Sequence, residues 1–537
     1  MLVCAAATAV VAPTLFLGSA SGHDVQFHVA SWIDVLGQWR EGTLFPRWAE
    51  WANWGFGEPR FIFYPPASWL LGAALGAVLP WEAVTGAFAW IALAAAGMSA
   101  WRLARDWMPG EQAAAAAVFY AANPYNVAIV YYRSDFAELL AVAIFPLLVC
   151  SALRLPREGW NALALVALPF AGIWLSNAPA AVILTYSLCL LLIAVSVAAK
   201  SWKPAAIGST GMTAGFALAA IYILPAAWEQ RWVQIQEAAA GQLQPVQNFL
   251  FVRSADTEFR LFNWKMSFLA VGMILVAAVG AALCAKKRKE HPAFWWTLAV
   301  LGVAGAFMMI SPSAFLWKWL PKLQFAQFPW RWLEAVALPF ALFAAMASPG
   351  GKIGRRAWLV LMAIAIVAAS FAIGNDAYWD TDDVTSIVHS VQAGKGYEGT
   401  DEYAPLDCDR DSLPPEGLPI ALLEASGERV APSEGEIQIT RWTGERVEFQ
   451  SNVSSPETLA LRRLNYPAWK AKVDGREVAL ESAPDTGEIE LEVPAGTHYV
   501  EIRFARTWDR TAGGAISLVA GMVLAGFEFG RRRPKCA

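Results

Sequence analysis

The chain has 537 residues, of which 57% are hydrophobic and only 16% are charged. Because a soluble globular protein carries about 25% charged residues, this composition indicates lipid as the main surroundings of the chain. The net charge of −4 gives no basis for nucleic acid as a partner. The 27 Trp residues fit an integral membrane protein, since the indole ring prefers the membrane–water interface.

Long hydrophobic segments run through most of the chain. Since a spanning helix needs about 20 mostly apolar residues, we predict a polytopic α-helical membrane protein with about twelve or thirteen spans. The first segment has a cleaved signal peptide as its alternative, but it lacks a basic start and more hydrophobic segments follow it. The stretch 66–104 adds one or two spans. The clear candidates are 2–19, 111–126, 136–153, 159–176, 178–199, 204–225, 264–285, 292–310, 331–348, 357–374 and 513–529.

Basic residues cluster in short loops at 286–289, at 352–356 and at 531–535, the last of which includes Arg533 and Lys535. Lys and Arg are enriched in short cytoplasmic loops, and these clusters share one side if the segments alternate. We therefore predict a bacterial cytoplasmic-membrane protein with its C-terminus in the cytoplasm. The predicted extracytoplasmic segments are 20–64, 226–263, 311–330 and 375–512.

The stretch 66–80 interrupts this alternation. It is short for a span and is bounded by Pro65, Pro66 and Pro80. Two alternatives remain: the stretch is re-entrant, or the loop that contains Arg102 lies outside the cytoplasm.

After residue 374 the apolar runs stop and alternating patterns begin, for example Ile489, Leu491 and Val493. We predict a loop-rich linker at 375–435, followed by an antiparallel β-sandwich of roughly 100 residues with a hairpin turn at Asp474-Gly475. The chain then divides into a transmembrane helical domain (1–374), an extracytoplasmic linker with the β-domain (375–512), and a last span with a basic cytoplasmic tail (513–537).

The first external loop begins with His23-Asp24, directly after the first span. The apolar spacing over 25–40 predicts an amphipathic helix along the membrane surface. A carboxylate at this edge could take a proton from a sugar hydroxyl beside a lipid-borne donor. The alternative is that Asp24 caps the helix, and the two roles are compatible.

Arg133 and Glu138 flank the entry to another helix, and Arg331 follows a proline at the start of a later span. Arg133 either pairs with Glu138 or Asp135, or meets a lipid phosphate while Glu138 orients it. Arg331 either extends to the membrane surface or binds a phosphate with its planar set of N–H donors.

Short motifs along nearly the whole chain resemble those of the bacterial membrane proteins called "6-pyruvoyl-tetrahydropterin synthase-related". These proteins are akin to the YfhO-like proteins and to the GT-C superfamily of membrane glycosyltransferases. The motifs are His23-Asp24 with His28, Pro46-Arg47-Trp48, Gly55-Phe56-Gly57, Phe63-Tyr64-Pro65-Pro66, Arg133 with Glu138, Gln327-Phe328-Pro329-Trp330-Arg331, Glu402-Tyr403-Ala404-Pro405 and Tyr466-Pro467-Ala468-Trp469.

The GT-C resemblance implies a polyprenyl-phosphate sugar donor and a catalytic base in the first loop, which would be Asp24 here. The chain lacks the paired acidic residues that many GT-C enzymes have at this point, which weakens the case for a divalent metal, and we predict no metal ligands. Glu402 and Tyr403 either descend over the mouth of a cavity or lie in a solvated loop. The substrate-binding residues that we predict are His23, His28, Arg47, Arg133, Glu138, Arg331, Glu402 and Tyr403.

The function that follows is a membrane glycosyltransferase that moves a sugar to an acceptor on the extracytoplasmic side. Its partners would be membrane lipid and the polyprenyl-phosphate-linked sugar. The first alternative is a non-catalytic protein that binds or assembles lipid-linked glycans, and the second is a transporter. Pterin synthesis does not fit, because the chain has no three-His metal site.

Overall fold

The computed structural model describes residues 1–380, 382–424 and 427–532, and Arg533 and Lys535 of the predicted basic tail lie outside these ranges. The chain forms a helical region, then a β-rich region, then one last long helix. The α-helices are α1 (Leu2–Val11), α2 (Thr14–Leu17), α3 (Val25–Arg40), α4 (Arg60–Phe63), α5 (Pro66–Gly76), α6 (Trp81–Ala104), α7 (Gly110–Ala121), α8 (Pro124–Ala128), α9 (Phe136–Glu158), α10 (Leu163–Ser176), α11 (Ala178–Ala198), α12 (Lys203–Leu218), α13 (Ala220–Glu229), α14 (Thr257–Leu283), α15 (Pro292–Met308), α16 (Ala314–Trp319), α17 (Leu333–Met346), α18 (Lys352–Asp376), α19 (Asp382–Gln392) and α20 (Trp508–Arg532).

Within the described ranges, seven helices are long and apolar enough to cross a membrane, or up to nine if each of two bent pairs forms one span. The pairs are α12 with α13, bent by 73°, and α15 with α16, bent by 91°. Hydropathy predicted about twelve. The count of seven takes Phe136–Ser176, which contains the two predicted spans 136–153 and 159–176, as one segment, and several other apolar segments form short helices. One example is α5, whose 11 residues rise about 16 Å, roughly half of a 30 Å hydrocarbon core. The stretch 66–80 therefore contains no span of its own.

Helix α3 has the bounds that its apolar spacing predicted, but it does not present a free polar face. It packs between α5 and α19, and Trp32 is fully buried in the helical core. Its polar residues Asp34 and Gln38 are also buried, and the Gln38 amide donates to the Asp34 carboxylate over 2.7 Å. The expected surface helix is thus an internal one, because these polar groups are satisfied by protein instead of water.

The β-rich region consists of two five-stranded antiparallel sheets, as the alternating pattern predicted. The sheet orders are β2-β1-β5-β9-β8 and β3-β4-β10-β6-β7. The predicted Asp474-Gly475 turn is confirmed: Val473 pairs with Arg476, and both turn residues have positive φ. The region begins within the predicted linker. Its strands are β1 (Ile420–Leu423), β2 (Arg429–Val430), β3 (Ile437–Thr443), β4 (Arg446–Val453), β5 (Glu457–Leu464), β6 (Trp469–Val473), β7 (Arg476–Val478), β8 (Glu481–Ser482), β9 (Glu488–Val493) and β10 (Gly496–Phe504).

The β-rich region docks onto the helical region through a buried polar and aromatic contact. Trp48 of the first loop packs against Trp469 and Phe504. Beside it, Glu229 at the end of α13 accepts two hydrogen bonds of 2.7 Å from Arg510 at the start of α20. These contacts fix the β-rich region over the same end of the helices at which the first loop lies.

Candidate functional site

A cavity of about 580 Å³ lies where the first loop meets α9, α11 and α13. One end is polar, and the opposite wall is apolar, with Trp174, Val182, Ile223 and Phe325. Residues of the segment 400–403 reach the cavity from the side of the β-rich region. The predicted site residues among its lining are His23, Asp24, Arg133, Arg331, Glu402 and Tyr403.

Asp24 binds Arg133 and does not cap its own helix. It occupies the N-cap position of α3, but its side chain makes no capping hydrogen bond. Instead Arg133 donates from Nη2 to Oδ2 of Asp24 over 2.6 Å, and the backbone N–H of Asp24 donates to the Arg133 carbonyl over 2.8 Å. The chain at Gly22 passes so close that an added Cβ would lie 2.6 Å from backbone atoms of Arg133 and Ser134. Only glycine allows this approach, which holds the two charged residues together.

Arg133 ends a π-helical turn over Ile129–Arg133, a wide turn that is common at functional sites. Ser134 follows in the left-handed conformation, with φ of 51°. Asp135 then caps α9, because its Oδ1 accepts from the backbone N–H of Glu138 over 3.0 Å. The reversal of the chain between the two helices thereby brings Arg133 and Asp135 to the same end of the cavity.

Arg331 is buried and does not extend to the membrane surface. Its Nη2 lies 3.1 Å from Oδ2 of Asp135, and its Nε lies 3.1 Å from Oε2 of Glu138. Glu138 also accepts from the Tyr125 hydroxyl. Of the two partners expected for Arg133, Glu138 binds Arg331 instead, whereas Asp135 does lie within salt-bridge distance of Arg133, at 3.7 Å. Asp135 links the two guanidinium groups.

Arg133 retains unused hydrogen-bonding capacity. It is only 4% exposed, yet its Nε and Nη1 have no hydrogen-bond partner within the described part of the chain. The rings of Phe328 and Trp330 lie 5.1 and 5.3 Å from its guanidinium carbon and offer no hydrogen-bond acceptor oxygen. Since leaving buried donors unpaired costs about 1–3 kcal/mol, this end of the cavity suits an anion with acceptor oxygens.

Three predicted ligand-binding residues do not line the cavity. His28 is buried behind it, 3.2 Å from the Ser68 hydroxyl and 3.7 Å from Asp135. Glu138 lies beneath it, where it binds Arg331. Arg47 lies at the contact with the β-rich region, with its Nη2 3.4 Å from the Ile221 carbonyl. Arg47 therefore does not line this cavity, and its position in the first loop did not show that this loop turns under the sheets.

Of the two alternatives for Glu402 and Tyr403, the structure shows the first: both residues reach the cavity and line it. Glu402 is partly buried, and burial raises its pKa to about 7. The preceding Thr400 is fixed by Glu58, which accepts from the Thr400 backbone N–H over 3.0 Å. Glu58 is itself held by a buried ion pair with Arg60 at 2.7 Å. The segment that carries Glu402 is therefore anchored to the first loop.

The sequence predicted Asp135 only as a possible partner of Arg133, and its contact with Arg331 was missed. Burial alone would raise its pKa, but the His28 hydrogen bond and the Arg331 and Arg133 guanidiniums outweigh burial and hold the pKa of Asp135 below its usual value. Its signal in the sequence was an aspartate directly before a long apolar run, which is typical of a helix cap. That signal indicates a helix start and gives no hint of the distant Arg331.

The carboxylates here lie around arginine guanidinium groups and do not form a set that could hold a metal ion. No group of three or more His, Cys, Asp or Glu residues in the described ranges could hold a metal ion. Asp24 and Asp135 both have a guanidinium nitrogen within salt-bridge distance. The donor set therefore does not fit the divalent metal that some GT-C enzymes imply.

A second polar cavity of about 610 Å³ lies between the segment 401–411 and the β-rich region. Its lining is mainly acidic, with Asp401, Asp407, Asp409 and Arg410 among its residues. The charge of Arg410 is already balanced by Asp401 at 2.6 Å and Glu398 at 3.3 Å, so this cavity is the weaker candidate for an anion site.

The fold and the first cavity define a helical membrane protein that carries a C-terminal two-sheet region and a buried arginine–carboxylate cluster. A family model described as "6-pyruvoyl-tetrahydropterin synthase related domain; membrane protein" matches residues 61–380. The chain thus belongs to this family of membrane proteins, as the motifs indicated. The matched range contains Arg133 and Arg331 but not Asp24 or Glu402. A comparison with curated proteins finds no match.

Proposed function

We propose that the protein is a membrane glycosyltransferase that moves a sugar from a polyprenyl-phosphate donor to an acceptor on the extracytoplasmic side. The observation that carries this proposal is the convergence of Asp24, Arg133 and Arg331 on one cavity with an apolar wall. These residues are far apart in the chain. The family description names a pterin synthase only as related and does not mention glycosyl transfer.

The polar end suits a phosphate group. Arg133 offers Nε and Nη1, and Arg331 adds a second positive charge whose donors are used by Asp135 and Glu138. A guanidinium binds phosphate oxygens with two parallel hydrogen bonds, which are stronger than bonds between neutral groups. One arginine therefore binds the phosphate directly, and the other stabilises its charge.

The apolar wall suits a hydrocarbon chain attached to that phosphate. Trp174 and Val182 come from α10 and α11, Ile223 comes from α13, and Phe325 follows the bent pair α15–α16. A soluble nucleotide donor would leave this wall against water. A polyprenyl chain buries it, at about 25 cal/mol for each Å² of apolar surface removed from water.

Asp24 then acts as the general base. Its carboxylate accepts the proton of an acceptor hydroxyl, the acceptor oxygen forms a bond to the anomeric carbon, and the bond from that carbon to the phosphate oxygen breaks. The electron pair leaves with polyprenyl phosphate, whose additional negative charge is balanced by Arg133 and Arg331. A phosphate bound to Nε and Nη1 of Arg133 also shares the positive charge that now stabilises the Asp24 carboxylate, so donor binding makes Asp24 a stronger base.

A non-catalytic lipid-linked glycan-binding protein is the second candidate. The close Asp24–Arg133 pair favours it, because a carboxylate held at 2.6 Å by a guanidinium is a weakened base. Both candidate functions require binding of a lipid phosphate, but only the transferase would convert its substrate.

The test uses the full-length protein in proteoliposomes with polyprenyl-phosphate hexoses and pentoses and measures release of polyprenyl phosphate. We expect release by wild type and a loss of at least 100-fold in Asp24→Asn, which should still bind polyprenyl phosphate. The control is Glu492→Gln, at an exposed position on β9 that lines neither cavity. Binding without any turnover would overturn the transferase and support the second candidate. Absence of binding would overturn both.

A further inference from the structure

A separate cavity of about 360 Å³ forms a groove between α14, α17 and α18. Its walls are mostly apolar, with Phe268, Met273, Phe340 and Ile366 among the lining residues. Helix α18 buries only 11% of its membrane-length window within the protein, so the groove lies at a surface that faces lipid. The groove shares no lining residue with the cavity that contains Asp24.

The depth of the groove matches one half of a bilayer. On α14 the lining runs from Lys265 to Val276, and on α18 it runs from Met362 to Ile373. At 1.5 Å per residue each wall is about 16 Å long, close to half of a 30 Å hydrocarbon core. A single hydrocarbon chain from one leaflet therefore fits its length.

One end of the groove carries two opposite charges. Lys265 Nζ lies 2.6 Å from Oδ2 of Asp376, and both side chains are close to half exposed, at 45% and 47%. The Tyr132 hydroxyl donates to the same carboxylate over 2.8 Å. An ammonium group has three donors, so Lys265 can bind a phosphate oxygen while it keeps Asp376, and the carboxylate can accept from an amine.

We propose that this groove binds one phospholipid with a primary-amine headgroup. One hydrocarbon chain would lie along Phe268, Met273 and Ile366, the phosphate would accept from Lys265, and the amine would donate to Asp376. A phospholipid with a purely anionic head satisfies Lys265 but repels Asp376. The paired charges therefore select a head that carries both signs.

The charged end of the groove is connected to the first cavity through Tyr132, which donates to Asp376. Tyr132 immediately precedes Arg133 on the π-helical turn. A lipid bound at Lys265 and Asp376 would restrain that turn from the lipid-facing side. The binding proposal itself does not depend on the proposed transferase activity.

Glycine at position 272 allows a selective test. Gly272 lines the groove, and an added Cβ would meet no atom within 4 Å. Gly272→Leu therefore has room for its Cβ and would extend its side chain into the groove. It would also favour the helix, since Gly is among the poorest helix formers. Ala369→Leu fills the groove from the opposite wall. The matched control is Gly526→Leu on α20, where an added Cβ also meets nothing within 4 Å.

The measurement is native mass spectrometry of the full-length protein in mild detergent, with either phosphatidylethanolamine or phosphatidylglycerol added. We expect wild type and Gly526→Leu to retain one amine-bearing lipid. Gly272→Leu and Ala369→Leu should lose at least fivefold of that retention. Asp376→Asn should lose the preference over phosphatidylglycerol, because it removes the negative charge that repels an anionic head. Equal retention in the filled and control variants, or a preference of wild type for phosphatidylglycerol, would overturn the proposal.

Discussion

Arg133 Nη2 lies 2.6 Å from Oδ2 of Asp24, although 109 positions separate the two residues in the chain. The pair joins the start of α3 to the end of a π-helical turn. It leaves Nε and Nη1 of Arg133 without partners in the described ranges. Arg133 thus binds the proposed base, Asp24, and is also the proposed phosphate-binding residue.

Replacing Arg133 should weaken binding of a lipid phosphate. Charge-assisted hydrogen bonds contribute about 1.5–3 kcal/mol, so Arg133→Gln should lower the affinity for polyprenyl phosphate by about 10–100-fold. The measurement is a binding titration with the detergent-solubilised protein. Arg253→Gln, at an exposed position outside the cavity, is the matched control and should bind as wild type does. If both variants bind equally well, Arg133 is not the phosphate ligand.

Asp135 should be important for stability in two separable ways. Asp135→Asn keeps a side chain that can cap α9 but removes the charge that binds Arg331, at a cost of about 1.5–3 kcal/mol. Asp135→Ala removes the cap as well and should cost about 1 kcal/mol more. Thermal unfolding followed by tryptophan fluorescence compares the two variants. Equal melting temperatures for wild type, Asn and Ala would show that neither contact contributes.

Glu402 should make stability depend on pH. Burial raises its pKa from 4.5 to about 7, so the folded protein holds this proton more tightly than the unfolded chain does. Stability is therefore lost as the pH rises from about 4.5 through 7. Glu402→Gln should be more stable than wild type at pH 8, by on the order of 1–2 kcal/mol after allowance for partial exposure, and similar at pH 4.

Melting temperatures across this pH range test the prediction for Glu402. The exposed Glu424→Gln is the control and should follow wild type at every pH. A constant difference between Glu402→Gln and wild type from pH 4 to pH 8 would contradict the argument from protonation.

The Glu229–Arg510 pair joins α13 to α20 beside the β-rich region, whose Tyr466 hydroxyl donates to Glu229 over 2.7 Å, and it should contribute to the stability of the protein. Both side chains are buried and bind through two hydrogen bonds of 2.7 Å. Glu229→Leu leaves Arg510 buried without its partner and should cost about 3–5 kcal/mol. The double variant Glu229→Leu with Arg510→Met removes both charges and should recover part of that loss. Unfolding measurements that show the double variant to be the less stable one would contradict this.

Much of the architecture follows from local patterns in the sequence. The apolar spacing predicted the bounds of α3 correctly, because a helix has the same spacing whether its apolar face contacts lipid or protein. The Asp474-Gly475 turn followed from the positive φ that both residues tolerate. Asp24, Arg133 and Arg331 were predicted as site residues because charged residues at the ends of apolar segments need polar partners. All three line the same cavity.

The rest depends on contacts between distant segments, which no local pattern contains. Arg47 belongs to the docking of the sheets, and nothing near it in the chain indicates that Glu445 accepts from its backbone N–H. Asp135 joins Arg331 across 196 positions. Hydropathy counts apolar residues, and it does not show that the predicted span 204–225 bends by 73° between α12 and α13.

The most direct test of the central claim is a cryo-EM structure of the full-length protein with polyprenyl phosphate bound. We predict a phosphate whose oxygens lie at about 2.7–2.9 Å from guanidinium nitrogens of Arg133, close to Arg331 and Asp24, with the hydrocarbon chain along Trp174 and Phe325. A phosphate bound elsewhere, with Arg133 still held only by Asp24 and Asp135, would contradict the account.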